Sequence, residues 1–124
     1  MSKPKVINET DEFYLGVDAF NQQDYKKTHR IWEQSWKRLR NSENRFYLKP
    51  FIMLAVSYQN YFHDKKSGGD YLFKKVLDRL LEIESRLSNL IDINSLILQI
   101  KDALVMESST RRFNGIQVKT MRIS

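Results

Sequence analysis

Leu72, Val76, Leu80, Ile83, Leu87 and Leu90 follow one another at intervals of 4, 4, 3, 4 and 3. That spacing draws one stripe along an α-helix of 3.6 residues per turn and cannot line one face of a strand. Charged residues fill the opposite side, so the helix is one-sided and must bury its stripe against other elements. A chain of 124 residues, 41% hydrophobic and 29% charged, can supply those elements itself. A domain of this size buries roughly two-thirds of the surface exposed by its unfolded chain. Four glycines and two prolines argue against a disordered or fibrous chain. The absence of cysteine excludes disulfides, thiolate metal sites and cysteine nucleophiles. The longest apolar run, Phe51 to Val56, falls far short of the roughly 20 residues that span a bilayer. Met1 to Asp11 is polar and carries acids, so no secretory signal is expected and the protein reads as soluble and intracellular.

Four further helices are expected. Thr10 or Asn8 can cap a first helix from about Asp11 to Gln22, with Asp11 and Glu12 suited to the positive end of its dipole. Its apolar residues are Phe13, Tyr14, Leu15, Val17 and Phe20. Asp24 caps a second helix from Tyr25 to about Leu39, where Tyr25, Thr28, Trp32, Ser35, Trp36 and Leu39 form one stripe. The third helix is the most apolar and ends near Phe62. Proline inside a helix removes a donor and clashes with the preceding turn. Pro50 therefore implies either a helix starting near Leu48 or a longer one from Glu43 that kinks; the kinked helix is the preferred reading. Asp64 to Asp70, with Lys65-Lys66-Ser67-Gly68-Gly69, reads as a loop. Asp92 or Asn94 caps the fifth helix, whose inward stripe is Leu96, Ile100, Ala103 and Leu104.

The expected fold is all-α, a single compact bundle of about five helices. Residues 1–10 form a flexible lead-in, 11–108 the bundle and 109–124 a basic C-terminal tail. From Gly115 to Ile123 the tail alternates apolar and polar residues, which suits either an extended segment or a disordered end.

Charge is concentrated. Between Lys26 and Lys49 eight basic residues face only Glu33 and Glu43, a net +6 that equals the charge of the whole chain. Such a segment is either a solvated helix face or a surface for an acidic protein or nucleic acid, with Lys26, Lys27 and Arg30 as its leading residues. No zinc-finger spacing or RNA-binding sheet motif accompanies it. Heavy use of Phe, Tyr, Met, Ile, Asn and Lys, at the expense of Gly, Ala, Arg and Pro, implies AT-rich coding. The expected setting is thus a bacterial cytoplasm or a plastid stroma.

The segments Phe20-Asn21…Asp24-Tyr25…His29…Trp32-Glu33…Trp36, Leu48…Phe51-Ile52…Leu54-Ala55-Val56 and Gly68…Leu72…Val76-Leu77…Leu80 together carry a resemblance. The chain resembles domain of unknown function family 309 over about Phe13 to Leu104. The His-x-x-Trp-Glu-x-x-Trp segment is its most specific part. The resemblance implies an all-helical bundle and no settled activity, although members are often labelled predicted metal-dependent hydrolases. This chain departs from the family pattern at Arg30, Lys49, Pro50, Met53 and Asn60, where the family tends to carry other residues, several of them polar.

His29 and Glu33, at i and i+4, share one helix face and are the candidate catalytic residues. They read first as a pair buried beside Trp32 and Trp36, second as a metal or acid–base site, third as a pocket wall. A divalent metal is the conceivable cofactor and is not favoured: a catalytic zinc wants three protein ligands. His63 and Asp64 supply a third only if the end of the third helix lies beside the second. Trp32, Trp36 and Tyr58 are candidate binding residues, with Tyr61 and Phe62 as possible pocket walls, but all suit core packing better. No phosphate loop, His-Glu-x-x-His pair or nucleophile elbow is present. Three functions follow: a non-catalytic binding or scaffold domain, a metal-dependent hydrolase using His29 and Glu33, and a nucleic-acid-associated protein. The departures from the family favour the first. A bundle this small suits a monomer or a homodimer, and no membrane partner is expected.

Overall fold

The computed structural model describes residues 9–40, 43–107, 110 and 115–121. Among the described residues five α-helices pack together: α1 Glu9–Asn21, α2 Tyr25–Arg38, α3 Leu48–Phe62, α4 Lys66–Leu87 and α5 Ile93–Leu104. Each packs on the next in sequence, as short connections between antiparallel neighbours dictate. None is long and apolar enough to cross a membrane.

The caps explain where two of the helices begin. Asp24 accepts a hydrogen bond from the Lys27 amide, and Asp92 accepts one from the Ser95 amide, each satisfying an amide left free in a first turn. The first helix starts at Glu9, so Thr10 is inside it; Asn8 and the rest of the expected lead-in, residues 1–8, lie outside the described residues.

Two expectations are corrected. Chain entry into α3 is a 3₁₀ turn, Glu43–Tyr47, that passes directly into the α-helix at Leu48. Pro50 is therefore the third residue of the α-helix, where its missing N–H has no intrahelical partner to lose, and no kinked α-helix runs from Glu43. The expected loop at 64–70 is also mostly helical, because α4 starts at Lys66 and the connection is only His63, Asp64 and Lys65. Gly69 is buried against the Tyr61 ring, and the Ser57 hydroxyl donates to its carbonyl at 2.8 Å. The glycine lets two helix backbones approach; it does not loosen a loop.

The core is largely aromatic. Phe13, Phe20 and Phe51 surround Trp32, with ring centroids 5.8, 6.3 and 5.5 Å away. The indole Nε1 donates to the Phe13 carbonyl at 3.1 Å, so the polar end of the buried ring is satisfied. Gly16 lies against that indole, and a Cβ there would overlap the ring. Leu15, expected among the apolar residues of α1, is exposed. Glu12 is instead buried, accepting from the Ser35 hydroxyl and, at 2.9 Å, from Arg38 Nη1. A carboxylate can sit there because both partners reach it from α2.

Of the tail, Thr110 is helical and Gly115–Met121 runs on without helix or turn. Ile116 and Val118 enter the core. Asn21 accepts from the Val118 amide at 2.8 Å and donates to its carbonyl at 2.9 Å. Gln99 does the same for Gln117, at 3.0 and 2.7 Å. An isolated antiparallel bridge joins Thr120 to Ile91. Two side-chain amides thus take the place of neighbouring strands. Arg111, Arg112 and Arg122 lie outside the described residues.

Candidate functional site

Helix α2 divides its residues by angle around its axis. Tyr25, Thr28, Trp32 and Ser35 are buried; Lys26, Lys27, Arg30, Gln34 and Lys37 are exposed. His29, Glu33 and Trp36, at i, i+4 and i+7, are half-buried along the boundary, where α2 meets the outer edge of α3.

A hollow of about 500 Å³ opens at this edge, lined by Glu33, Trp36, Lys37, Lys49, Ile52 and Met53. Its floor is apolar, from Trp36, Ile52 and Met53. Glu33 and Lys37 also wall the next hollow, of about 400 Å³, together with Lys26, His29, Arg30 and Gln59. Lys26 and Gln59 continue into a third hollow of about 220 Å³ with Tyr25, Phe62 and His63. At the opposite end, Lys49 leads into one of about 230 Å³ beside Phe46 and Pro50. The first three hollows share walls along the α2–α3 edge and make one groove; the fourth, walled also by Arg79, Glu82 and Ile83, opens between α3 and α4.

His29 Nε2 lies 2.8 Å from Glu33 Oε2, and Lys37 Nζ lies 3.4 Å from Glu33 Oε1. The side chains of His29 and Glu33 are 32% and 43% exposed. The pair is therefore not buried beside the tryptophans: Trp32, one residue from Glu33, points about 100° away and into the core. Among the described residues no group of three His, Cys, Asp or Glu is placed to hold a metal ion. The end of α3 does lie beside α2, but His63 comes to the Asp24–Tyr25 end, one hollow away from the pair.

The remaining candidates separate. Trp32 and Tyr58 are wholly buried and cannot touch a ligand in the groove; Tyr58 stacks on Tyr25 at 4.7 Å, and Tyr61 is also in the core. Trp36 lines the groove, but the Arg45 guanidinium carbon covers its ring at 4.0 Å. Lys26 and Arg30 are groove walls, whereas Lys27 is exposed outside these linings. Phe62, expected as a possible wall, is one.

Ile52, Met53, Lys49 and Gln59 were absent from the candidate residues because α3 is apolar around most of its circumference. Its sequence pattern does not distinguish the covered faces from the open one. The spacing of Lys49, Ile52, Met53, Val56 and Gln59 is nevertheless that of one helix edge.

The Tyr25 hydroxyl is buried with no hydrogen-bond partner among the described residues, and burial pushes its pKa up to about 12.

No family model, curated protein or solved structure matches the chain.

Proposed function

We propose that this protein is a non-catalytic binding module that holds its partner in the α2–α3 groove. The observation that carries this reading is the open apolar floor of Trp36, Ile52 and Met53 between Lys37 and Lys49. Apolar surface walled by like charges suits a partner that is apolar on one side and anionic on the other. We also propose kinship with domain of unknown function family 309; an all-α bundle is compatible with that kinship without singling it out. Composition supports a bacterial cytoplasm or plastid stroma as the setting.

A metal-dependent hydrolase is the second reading, favoured by one feature: His29 is held by a carboxylate at 2.8 Å on an accessible wall.

One titration separates them. Anilinonaphthalene sulfonate, an amphipathic anion that fluoresces on apolar surfaces, is added to the native protein, to Met53→Glu and to His29→Ala. Near-ultraviolet circular dichroism verifies folding. The binding-module reading requires saturable fluorescence lost in Met53→Glu and kept in His29→Ala. Equal fluorescence in all three refutes it. One equivalent of zinc, manganese or iron in untagged protein, lost in His29→Ala, would establish the second reading in its place.

A further inference from the structure

We propose that the groove receives an acidic amphipathic α-helix of about four turns. This rests on the binding-module reading and adds the identity of the partner's recognised element.

The first argument is length. Through shared walls the groove follows α3 from Lys49 to Phe62, nearly all of that 15-residue helix. At about 1.5 Å per residue this is roughly 20 Å, the length of a helix of about 14 residues. A small molecule of ordinary size would fill one hollow and leave the others open.

The second is the distribution of apolar surface. Ile52 and Met53 stand at one end with Trp36 and with Phe46 edge-on to its ring, Phe62 closes the other end, and the stretch between them is polar, with Arg30 and Gln59 among its walls. Phe46 and Phe62 are 56% and 47% exposed, so both ends offer an aromatic edge. A partner helix meets the two apolar ends with residues at i, i+3 or i+4 and about i+11 of one face. The Met53 thioether is flexible enough to mould around one of them.

Charge is the third. Lys26, Arg30, Lys37 and Lys49 wall the two central hollows against a single carboxylate, Glu33. Glu33 is occupied by His29 and Lys37, whereas Lys26, Arg30 and Lys49 make no ion pair among the described residues. Carboxylates along both flanks of an inserted helix would answer those cations. A nucleic acid would bring charge but also bases that need an open aromatic face. Here Arg45 covers one face of the Trp36 ring, Trp32 and Tyr58 are buried, and the exposed Phe46 and Phe62 stand at opposite ends, so among the described residues the groove offers no row of neighbouring open rings for successive bases.

The test uses a fluorescein-labelled peptide of about 16 residues, made of Glu, Ala and Leu with the leucines on one helical face. A scrambled peptide of identical composition and a single-stranded oligonucleotide serve as comparators, in anisotropy titrations at fixed salt. The expected result is saturable binding of the first peptide, at least about tenfold tighter than the scrambled one, with a gain of helical circular dichroism. Met53→Glu, and independently the exposed pair Lys37→Glu/Lys49→Glu, should each weaken binding about tenfold or more, while Lys74→Glu on α4 should not. The double variant keeps the test valid if Met53→Glu fails to fold. Equal binding of the scrambled peptide, or stronger binding of the oligonucleotide, overturns the proposal. If no peptide binds while anilinonaphthalene sulfonate still does, the helix is refuted and the groove stands. If neither binds, both fall.

Discussion

Replacing Gly69 by alanine and Gly68 by alanine should move stability in opposite directions, although the two are adjacent in the first turn of α4. A Cβ on residue 69 would lie 2.6 Å from Tyr61 Cε1 and 2.8 Å from Cδ1. The Tyr61 ring is 2% exposed, and its hydroxyl donates to Asp70 Oδ1 at 2.7 Å, so it cannot swing aside. Ser57, bonded to the Gly69 carbonyl, fixes the backbone on the same side. The helices must separate, and overpacking of this kind costs about 1–3 kcal/mol. Alanine returns about 1 kcal/mol of helix propensity, leaving a net loss of up to about 2 kcal/mol. At residue 68 the new Cβ meets only Asn60 Nδ2, at 3.1 Å, on a side chain that can shift. There the propensity gain dominates, and a stabilisation of about 0.5–1 kcal/mol is expected. Urea denaturation of the two variants, with slopes checked for constancy, reads both effects. If Gly69→Ala is stabilised as much as Gly68→Ala, the close α3–α4 crossing is wrong. If Gly68→Ala is destabilising, residues 66–70 are not behaving as a helix.

Tyr25→Phe should be neutral or stabilising by up to about 1 kcal/mol in urea melts, because it removes a buried hydroxyl without a partner. Since the folded state raises this pKa from 10.0 to about 12, Tyr25's contribution is intact below pH 10 and is lost as pH rises through that interval. Between pH 10.0 and about 12 the native protein should therefore lose more stability than Tyr25→Phe, the difference isolating Tyr25. Asn21→Ala should cost about 1–3 kcal/mol, since it strips both backbone groups of the buried Val118 of their partners; amide exchange at Val118 should accelerate in step. Glu33→Gln should change stability by less than about 0.5 kcal/mol, the range of exposed i,i+4 pairs. A loss of several kcal/mol in thermal or urea unfolding would make the pair a structural clasp after all.

Sequence pattern revealed whatever depended on one helix facing one core. Asp24 and the stripe from Tyr25 to Ser35 marked the start and the buried face of α2, and Val76, Leu80 and Leu87 marked the buried face of α4 but not its start. Features requiring two elements at once were not legible. Gly68-Gly69 has the composition of a loop, and only Tyr61 coming from α3 reveals why a glycine is needed. Alternation in the tail suited an extended segment and a disordered end alike, and nothing local indicated that Asn21 and Gln99 would hold it. Pro50 was ambiguous because proline is tolerated in a first turn and disruptive one turn later, and the boundary depends on the 3₁₀ entry. At the candidate site the cations were visible as a charge cluster. The apolar floor was not, because Ile52 and Met53 look like core until it is known which edge of α3 stays open.

That this edge is open among the described residues follows from the order of the elements. Helix α3 is flanked by α2 on one side and α4 on another. The next element, α5, packs on α4, and the tail returns to α1 and α5 through Asn21 and Gln99. The bridge at Ile91 and the Tyr14 hydroxyl on the Leu90 carbonyl close that same side. These late elements therefore cover the bundle away from the α2–α3 groove, although α3 carries more apolar surface than its neighbours hide. Lysine and arginine along α2 keep such an edge soluble, because their charges repel further copies of a basic chain. They also bias what can settle there toward an anionic partner. An acidic helix would occupy the place of one more helix in the bundle, packed by the same ridges and grooves that join α2 to α3. On this argument polar substitution at Ile52 or Met53 is tolerated far better than at their buried neighbours Phe51 and Leu54, and what it removes is binding.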